Sequence, residues 1–141
     1  MKVLLAADDS ECAMRAVAHV VNNIQDFGQN PEMHLVHVQY QLPGRMTGVL
    51  PRQTLLDYYE EESTKSLEPA RTELKRAGIE FKEIHLVDQY PGIAIADYAT
   101  REHFSMIVMG SHGRGPLSGL VLGSVARQVL GHCNTPALII R

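Results

Sequence analysis

Residues 106–130 read MIVMGSHGRGPLSGLVLGSVARQVL, and the order of residue types in this stretch decides the fold. An apolar run from Met106 to Met109 stops at Gly110. Glycines recur at Gly113, Gly115, Gly119 and Gly123, and apolar periodicity resumes at Val125 and Val129. That order is strand, glycine-rich loop, helix start. Glycine lets the backbone take positive φ and lets a ligand come close to main-chain N–H groups, because no Cβ stands in the way. The free N–H groups of the following helix face the same point, with the positive end of its dipole behind them. Such a place holds an anion, and phosphate suits it.

Working outward, the rest of the chain repeats the same alternation. Val3 to Ala7 is a continuous apolar run, as expected of a parallel strand covered on both faces, and it ends at Asp8. Ser10 is an N-cap, and Ala13, Ala16, Val17, Val20, Val21 and Ile24 then repeat at helical spacing until Gly28 and Pro31. A second strand, His34 to Val38, leads into a breaker-rich connection from Tyr40 to Pro51, of the kind that forms lids. A helix is predicted from about Gln53 to Ala77 with Gly78 as its stop. Leu67, Ala70, Leu74 and Ala77 mark its inner face, and Pro69 is expected to kink or split it. Consecutive acids at Glu60, Glu61 and Glu62 splay around a helix axis and read as a solvated face rather than a metal site. Phe81 to Val87 carries Lys82, Glu83 and His85 and suits a sheet edge. A third helix starts near Pro91 and runs to about Arg101, another follows the glycine loop from Ser124 to about Leu130, and Ala137 to Ile140 is the last strand. Alternating strands and helices argue for an α/β fold, a parallel sheet with helices on both faces. Ligands in such sheets bind beyond the carboxyl ends of the strands, here at Asp8 and Gly110.

The chain has 141 residues, enough for one domain with a sizeable core, and residues 1–141 are read as one domain. A formal charge of -3 leaves no broad basic surface, so nucleic acid is not an expected partner. No apolar run is long enough to cross a membrane or to serve as a signal-peptide core, and a soluble cytoplasmic protein is expected. Cys12 and Cys133 form no C-x-x-C and read as reduced thiols.

The glycine loop is not a Walker A loop, since no Gly-Lys-Ser/Thr follows at the required distance. Nor does a dinucleotide fingerprint follow the first strand, where Ala6-Ala7-Asp8-Asp9-Ser10 lacks glycine. What is present is Gly110-x-x-Gly113, nine residues, then Gly123-Ser124. This resembles the loop G-x2-G-x9-G-[ST] of the ATP-binding branch of the universal stress protein family, and the likeness runs from Asp8-x-Ser10 to the strand after Thr135-Pro136. The resemblance implies a Rossmann-like sheet of five parallel strands in the order 3-2-1-4-5, which makes strands one and four neighbours. It also implies a role in stress response, ATP as ligand with Mg2+ beside it, and a homodimer formed through the last strand. It further implies that Ala7 and the main chain near Val38 border the adenine. Asp9 stands where the family usually has glycine and is assigned no role.

Within the loop, N–H groups near Gly113 and at the Gly123-Ser124-Val125 helix start are the expected phosphate donors, with the Ser124 hydroxyl on a phosphate oxygen. Arg114 and His112 are available for further charge, and Arg127 reads as a surface residue. A micromolar nucleotide needs about -8 kcal/mol, and hydrogen bonds to charged groups contribute roughly 1.5–3 kcal/mol each, so several amides and an apolar base slot suffice. Asp8 would repel a triphosphate unless it faces the sugar or base, or a divalent cation lies between them. It therefore bonds a ribose hydroxyl or the base, or helps hold magnesium; the alternative is a turn or cap acid. His34 and His37 point to opposite faces of their strand and cannot pair as metal ligands. No metal site is expected from the residues alone, and none of Ser10, Ser111, Ser118 and Cys12 sits in a nucleophile motif. The loop lacks the lysine that phosphoryl transfer uses, so no catalytic residue is assigned and at most slow ATP hydrolysis is expected. The leading reading is a nucleotide-dependent regulatory module. The alternatives are a nucleotide-independent dimeric interaction protein and an adenylyl-transferring or ATP-hydrolysing enzyme.

Overall fold

The computed structural model describes residues 1–114 and 121–141. Gly115, Ser118 and Gly119 lie outside them. Five parallel strands, β1 (Lys2–Ala6), β2 (Glu32–Tyr40), β3 (Lys82–Asp88), β4 (Met106–Gly110) and β5 (Ala137–Ile140), form one sheet in the order β3-β2-β1-β4-β5. This is the order the resemblance implied. Successive side chains of a strand point to opposite faces, and both faces are covered. Val3, Leu5, Leu35 and Val108 pack under α1 (Glu11–Asn22) and the long helix α3 (Arg52–Arg76). Their neighbours Leu4, Val36 and Ile107 pack under α4 (Pro91–Arg101) and α5 (Ser124–His132).

The boundaries differ from expectation where side chains compete with the pattern. The first helix stops at Asn22 rather than running to Gly28, because the Asn23 side-chain Nδ2 donates back to the His19 carbonyl at 2.8 Å. A 3-10 turn, Ile24–Phe27, carries the apolar pattern on, and Gly28 follows at φ 106°. The connection after β2 includes a single helical turn, α2 (Gly44–Thr47). Of the kink or split expected at Pro69, the split does not occur. Leu67 lies before it and Ala70 and Leu74 after it, all fully buried on one face, so both halves are held against the same sheet. Ala77, expected on the inner face, is exposed and caps the helix. Gly78 at φ 71° then donates to Lys75 and Ile79 to Leu74, the paired bonds of a Schellman ending.

The two sheet edges are built differently. On β3, the Arg71 guanidinium donates to both carboxylate oxygens of Glu83 at 2.8 and 2.6 Å, and His85 lies between Glu83 and Glu60 at 2.7 and 2.8 Å. The Arg71 hydrogen bonds hold the Glu83 pKa down at about 2. Glu61 and Glu62 pair with Lys65 on the outer side of α3. At the other edge, Ala137, Leu138, Ile139 and Ile140 are apolar and half-buried.

Candidate functional site

The crevice opens where β1 and β4 end side by side and the chain leaves them in opposite directions. After β1 the chain makes a short turn held by its own side chains. The Ser10 amide donates to Asp8 Oδ1 at 2.9 Å, and the Ser10 hydroxyl accepts from the Ala13 amide at 3.2 Å, capping α1. Asp8 is thus a turn acid with one oxygen, while its other oxygen, Oδ2, faces Gly113. His37, buried on β2, donates from Nδ1 to the Ala7 carbonyl at 3.1 Å and fixes the turn from the neighbouring strand.

The end of β4 is shaped by close backbone packing. A Cβ on Gly110 would lie 2.9 Å from the Cys12 carbonyl carbon, so glycine lets the start of α1 press directly on the strand. A Cβ on Gly123 would lie 3.0 Å from the Cα of His112. Among the described residues, a Cβ on Gly113 would meet nothing closer than Asp8 Oδ2 at 3.4 Å. Among the described residues the positive-φ glycines are Gly28 and Gly78, so Gly110 and Gly123 serve close approach rather than unusual backbone angles, and Gly113 shows neither constraint there. The Gly123 amide, an expected phosphate donor, instead donates to the Ser111 carbonyl at 2.7 Å. That bond turns the chain into α5. Among the described residues no side chain caps α5, and no acid lies in its first turn, so there its amides beyond Gly123 lack the side-chain partner that α1 has.

A cavity of about 540 Å³ lies between these elements, within the range of small-molecule sites. Ala7, Asp8 and Val38 line it from the first half of the chain. Gly110, Gly113 and Arg114 line it from the end of β4, and Gly123, Ser124 and Val125 from the start of α5. All the residues expected at the site therefore converge on one space. Arg127, expected at the surface, is exposed and also reaches the cavity wall. His112 lines the wall with Nδ1 at 3.0 Å from the Ser111 hydroxyl. The connection expected to act as a lid contributes only Tyr40, where it leaves β2.

One wall is apolar, with Val36, Val38, Ile95 and Met109 among its residues. β2 also offers main-chain groups there. The β1 register ends at Ala6 opposite Val36, and the Ala7 amide donates to the Val36 carbonyl at 3.0 Å. Strand polarity repeats every two residues, so the N–H and C=O of Val38 point the same way as those of Val36, beyond the last paired residue of β1. A donor and an acceptor from one residue thus face the cavity.

Sequence reasoning missed three contributors. His37 was read only as unable to pair with His34, and its value lies in reaching another strand's carbonyl. Asp9 was assigned no role, yet it binds Arg114 across the mouth at 2.5 Å. Gly92, at the start of α4, was not singled out, although a Cβ there would lie 2.5 Å from the Val125 carbonyl oxygen. It lets α4 abut the first turn of α5, and its amide donates to the Gln128 side chain at 2.9 Å. No local pattern marks any of the three, because each partner is distant in sequence.

Among the described residues there is no group of three or more His, Cys, Asp or Glu side chains able to hold a metal ion. Both cysteines are free thiols, and Cys12 donates to the Ile140 carbonyl at 3.2 Å. No helix among the described residues is long and apolar enough to cross a membrane.

Comparison with known proteins gives the same picture. The chain is 28% identical to the universal stress protein YxiE of Bacillus subtilis, the match covering 99% of this chain and 98% of that one. Its fold matches the solved structure of MJ0577, a universal stress protein of Methanocaldococcus jannaschii, with a TM-score of 0.79 and 30% identity over 99% of this chain and 94% of that one. It also matches a universal stress protein of Archaeoglobus fulgidus solved with dAMP, with a TM-score of 0.64 and 23% identity over 100% and 98% of the two chains. The sequence profile of the Universal stress protein family matches residues 1–141 from end to end, and the chain belongs to that family.

Proposed function

We propose that this protein binds ATP in the crevice between β1 and β4 and works as a nucleotide-dependent regulatory module in a stress response, with at most slow hydrolysis. The observation that carries this reading is the pairing of complementary groups across one cavity. An apolar wall with the free Val38 main chain suits an adenine edge, which carries an amino donor beside a ring-nitrogen acceptor. Opposite it, the uncapped start of α5 suits phosphate. That a protein of the same fold was solved with dAMP supports an adenine nucleotide as the ligand class.

Magnesium fits as part of the ligand rather than as a resident ion. Asp8 Oδ2 is the oxygen left over from the turn, and magnesium typically takes one or two carboxylates together with phosphate oxygens. Among the described residues no lysine lines the cavity, which supports binding without efficient phosphoryl transfer.

Titration calorimetry with magnesium and ATP should give a micromolar Kd, and no binding below millimolar concentration would remove the proposal. Gly113→Val is the discriminating variant because nothing among the described residues crowds a Cβ there. It should abolish binding with the unfolding midpoint preserved, whereas Gly123→Val would also disturb His112.

Self-association through β5 belongs to the same reading. The Ile107 amide donates to Pro136 and the Ser111 amide to Ile140, so the main chain of Ala137 and Ile139 points outward from the sheet. Ile139→Pro should therefore remove an outward donor, leave the β4 ladder intact, and turn a dimer into a monomer in light scattering. A parent protein already monomeric at micromolar concentration would defeat this part. A cytoplasmic location completes the proposal.

A further inference from the structure

Asp9 lies outside the cavity wall but acts across its mouth. Its Oδ1 accepts from Arg114 Nε at 2.5 Å, while Arg114 Nη2 donates to the Ser66 hydroxyl at 2.9 Å. Ser66 is 4% exposed on α3, so the guanidinium bridges the first turn of the chain and a buried anchor, with the Arg114 and Asp9 side chains 57% and 49% exposed. Arg114 is also the cation that follows Gly113 on the cavity wall. Around the described mouth, Asp8 and Asp9 balance Arg114 and Arg127, and the phosphate side of the site carries no net positive charge from these four.

We propose that Asp9 competes with the ligand's phosphate tail for Arg114 and so sets which length of phosphate chain the site prefers. This inference rests on nucleotide binding at this cavity and names a selectivity determinant within it. One phosphate held by main-chain amides makes little demand on Arg114. Each further phosphate brings more negative charge to the mouth. It must either draw the guanidinium off Asp9 or share it beside a carboxylate, and both lower the gain. A neutral residue at position 9 frees the arginine and removes the repulsion together. Magnesium between the carboxylates and the tail lessens the effect, so it is largest without the metal.

The test is calorimetric titration of AMP and ATP, with and without magnesium, into the parent, Asp9→Asn, Arg114→Gln and the double variant. Asp9→Gly serves as a second neutral replacement. In magnesium-free buffer, Asp9→Asn should tighten ATP about fivefold and AMP less than twofold, as expected for one screened charge near the tail. Arg114→Gln should weaken ATP about threefold in the parent and about tenfold in the Asp9→Asn background. Equal changes for AMP and ATP on replacing Asp9, or a gain for ATP that is as large in the Arg114→Gln background as in the parent, would overturn the role of Asp9 while leaving nucleotide binding in place. If no variant and no parent protein binds either nucleotide, the binding proposal itself fails and this one with it.

Discussion

Two helices begin at the same crevice, and their first turns are finished in opposite ways. At α1, Ser10 caps the Ala13 amide, Asp8 closes the preceding turn, and Glu11 places a carboxylate at the positive end of the helix dipole. At α5, Gly123 stands at the cap position without a side chain, and no acid follows in the first turn. One helix start is satisfied by its own sequence; the other has no side-chain partner among the described residues. The difference shows why a glycine-rich segment precedes α5 and a D-D-S segment precedes α1, although both leave neighbouring strands. An anion gains more from amides that have no competing acceptor.

The comparison can be broken most severely by separating the two starts. Gly110→Val forces a side chain into the Cys12 backbone, and the cost should be about 3 kcal/mol, read as a lower urea midpoint at unchanged slope. A stability within 0.5 kcal/mol of the parent would show that α1 does not rest on the end of β4.

Ser124→Glu makes α5 resemble α1 by adding a first-turn acid. Helix stability should rise slightly, by up to about 0.5 kcal/mol. ATP binding should weaken about tenfold to hundredfold, roughly 1.4–2.7 kcal/mol. Opposite signs in the two measurements would sharpen the contrast, whereas loss of both would point to misfolding.

Ser10→Ala does the reverse by uncapping α1. It should cost about 1 kcal/mol of stability while lowering ATP affinity less than threefold. A larger binding loss than stability loss would mean that α1 also serves the ligand.

The smallest effect is expected at the β3 edge, remote from both helix starts. Hydrogen bonds from Arg71 hold the Glu83 pKa at about 2, so its stabilising contribution is present above the ordinary carboxylate range and is lost as pH falls toward 2. Glu83→Gln should therefore lower the midpoint modestly at neutral pH. The gap to the parent should narrow between about pH 4.5 and 3, with nucleotide affinity unchanged. A gap that stays constant with pH would assign the pair no electrostatic role.

Much of this molecule was readable before its structure. The apolar runs at Val3–Ala7 and Met106–Met109 read as buried parallel strands, and the charged pattern of Lys82, Glu83 and His85 suits an edge. Gly78 marked the end of α3 through its positive φ. Less legible were features decided by contacts across the fold. Pro69 does not split α3, because apolar residues before and after it are held by the same sheet. Asn23 ends α1 through a side-chain bond that periodicity does not register. The Gly123 amide, expected to face phosphate, is used to turn the chain.

By itself the sequence determined the alternation of strands and helices and the glycine spacing that marks the end of β4 and the start of α5. These are set by local sterics and by the two periods of apolar residues, which act over a few positions. Only the tertiary structure decided that Val38 turns unpaired main-chain groups into the same space, that His37 steadies Ala7, and that Asp9 holds Arg114. Those relations depend on strand register and on which helix packs where, and the groups that meet are separated by 30 or 105 positions along the chain.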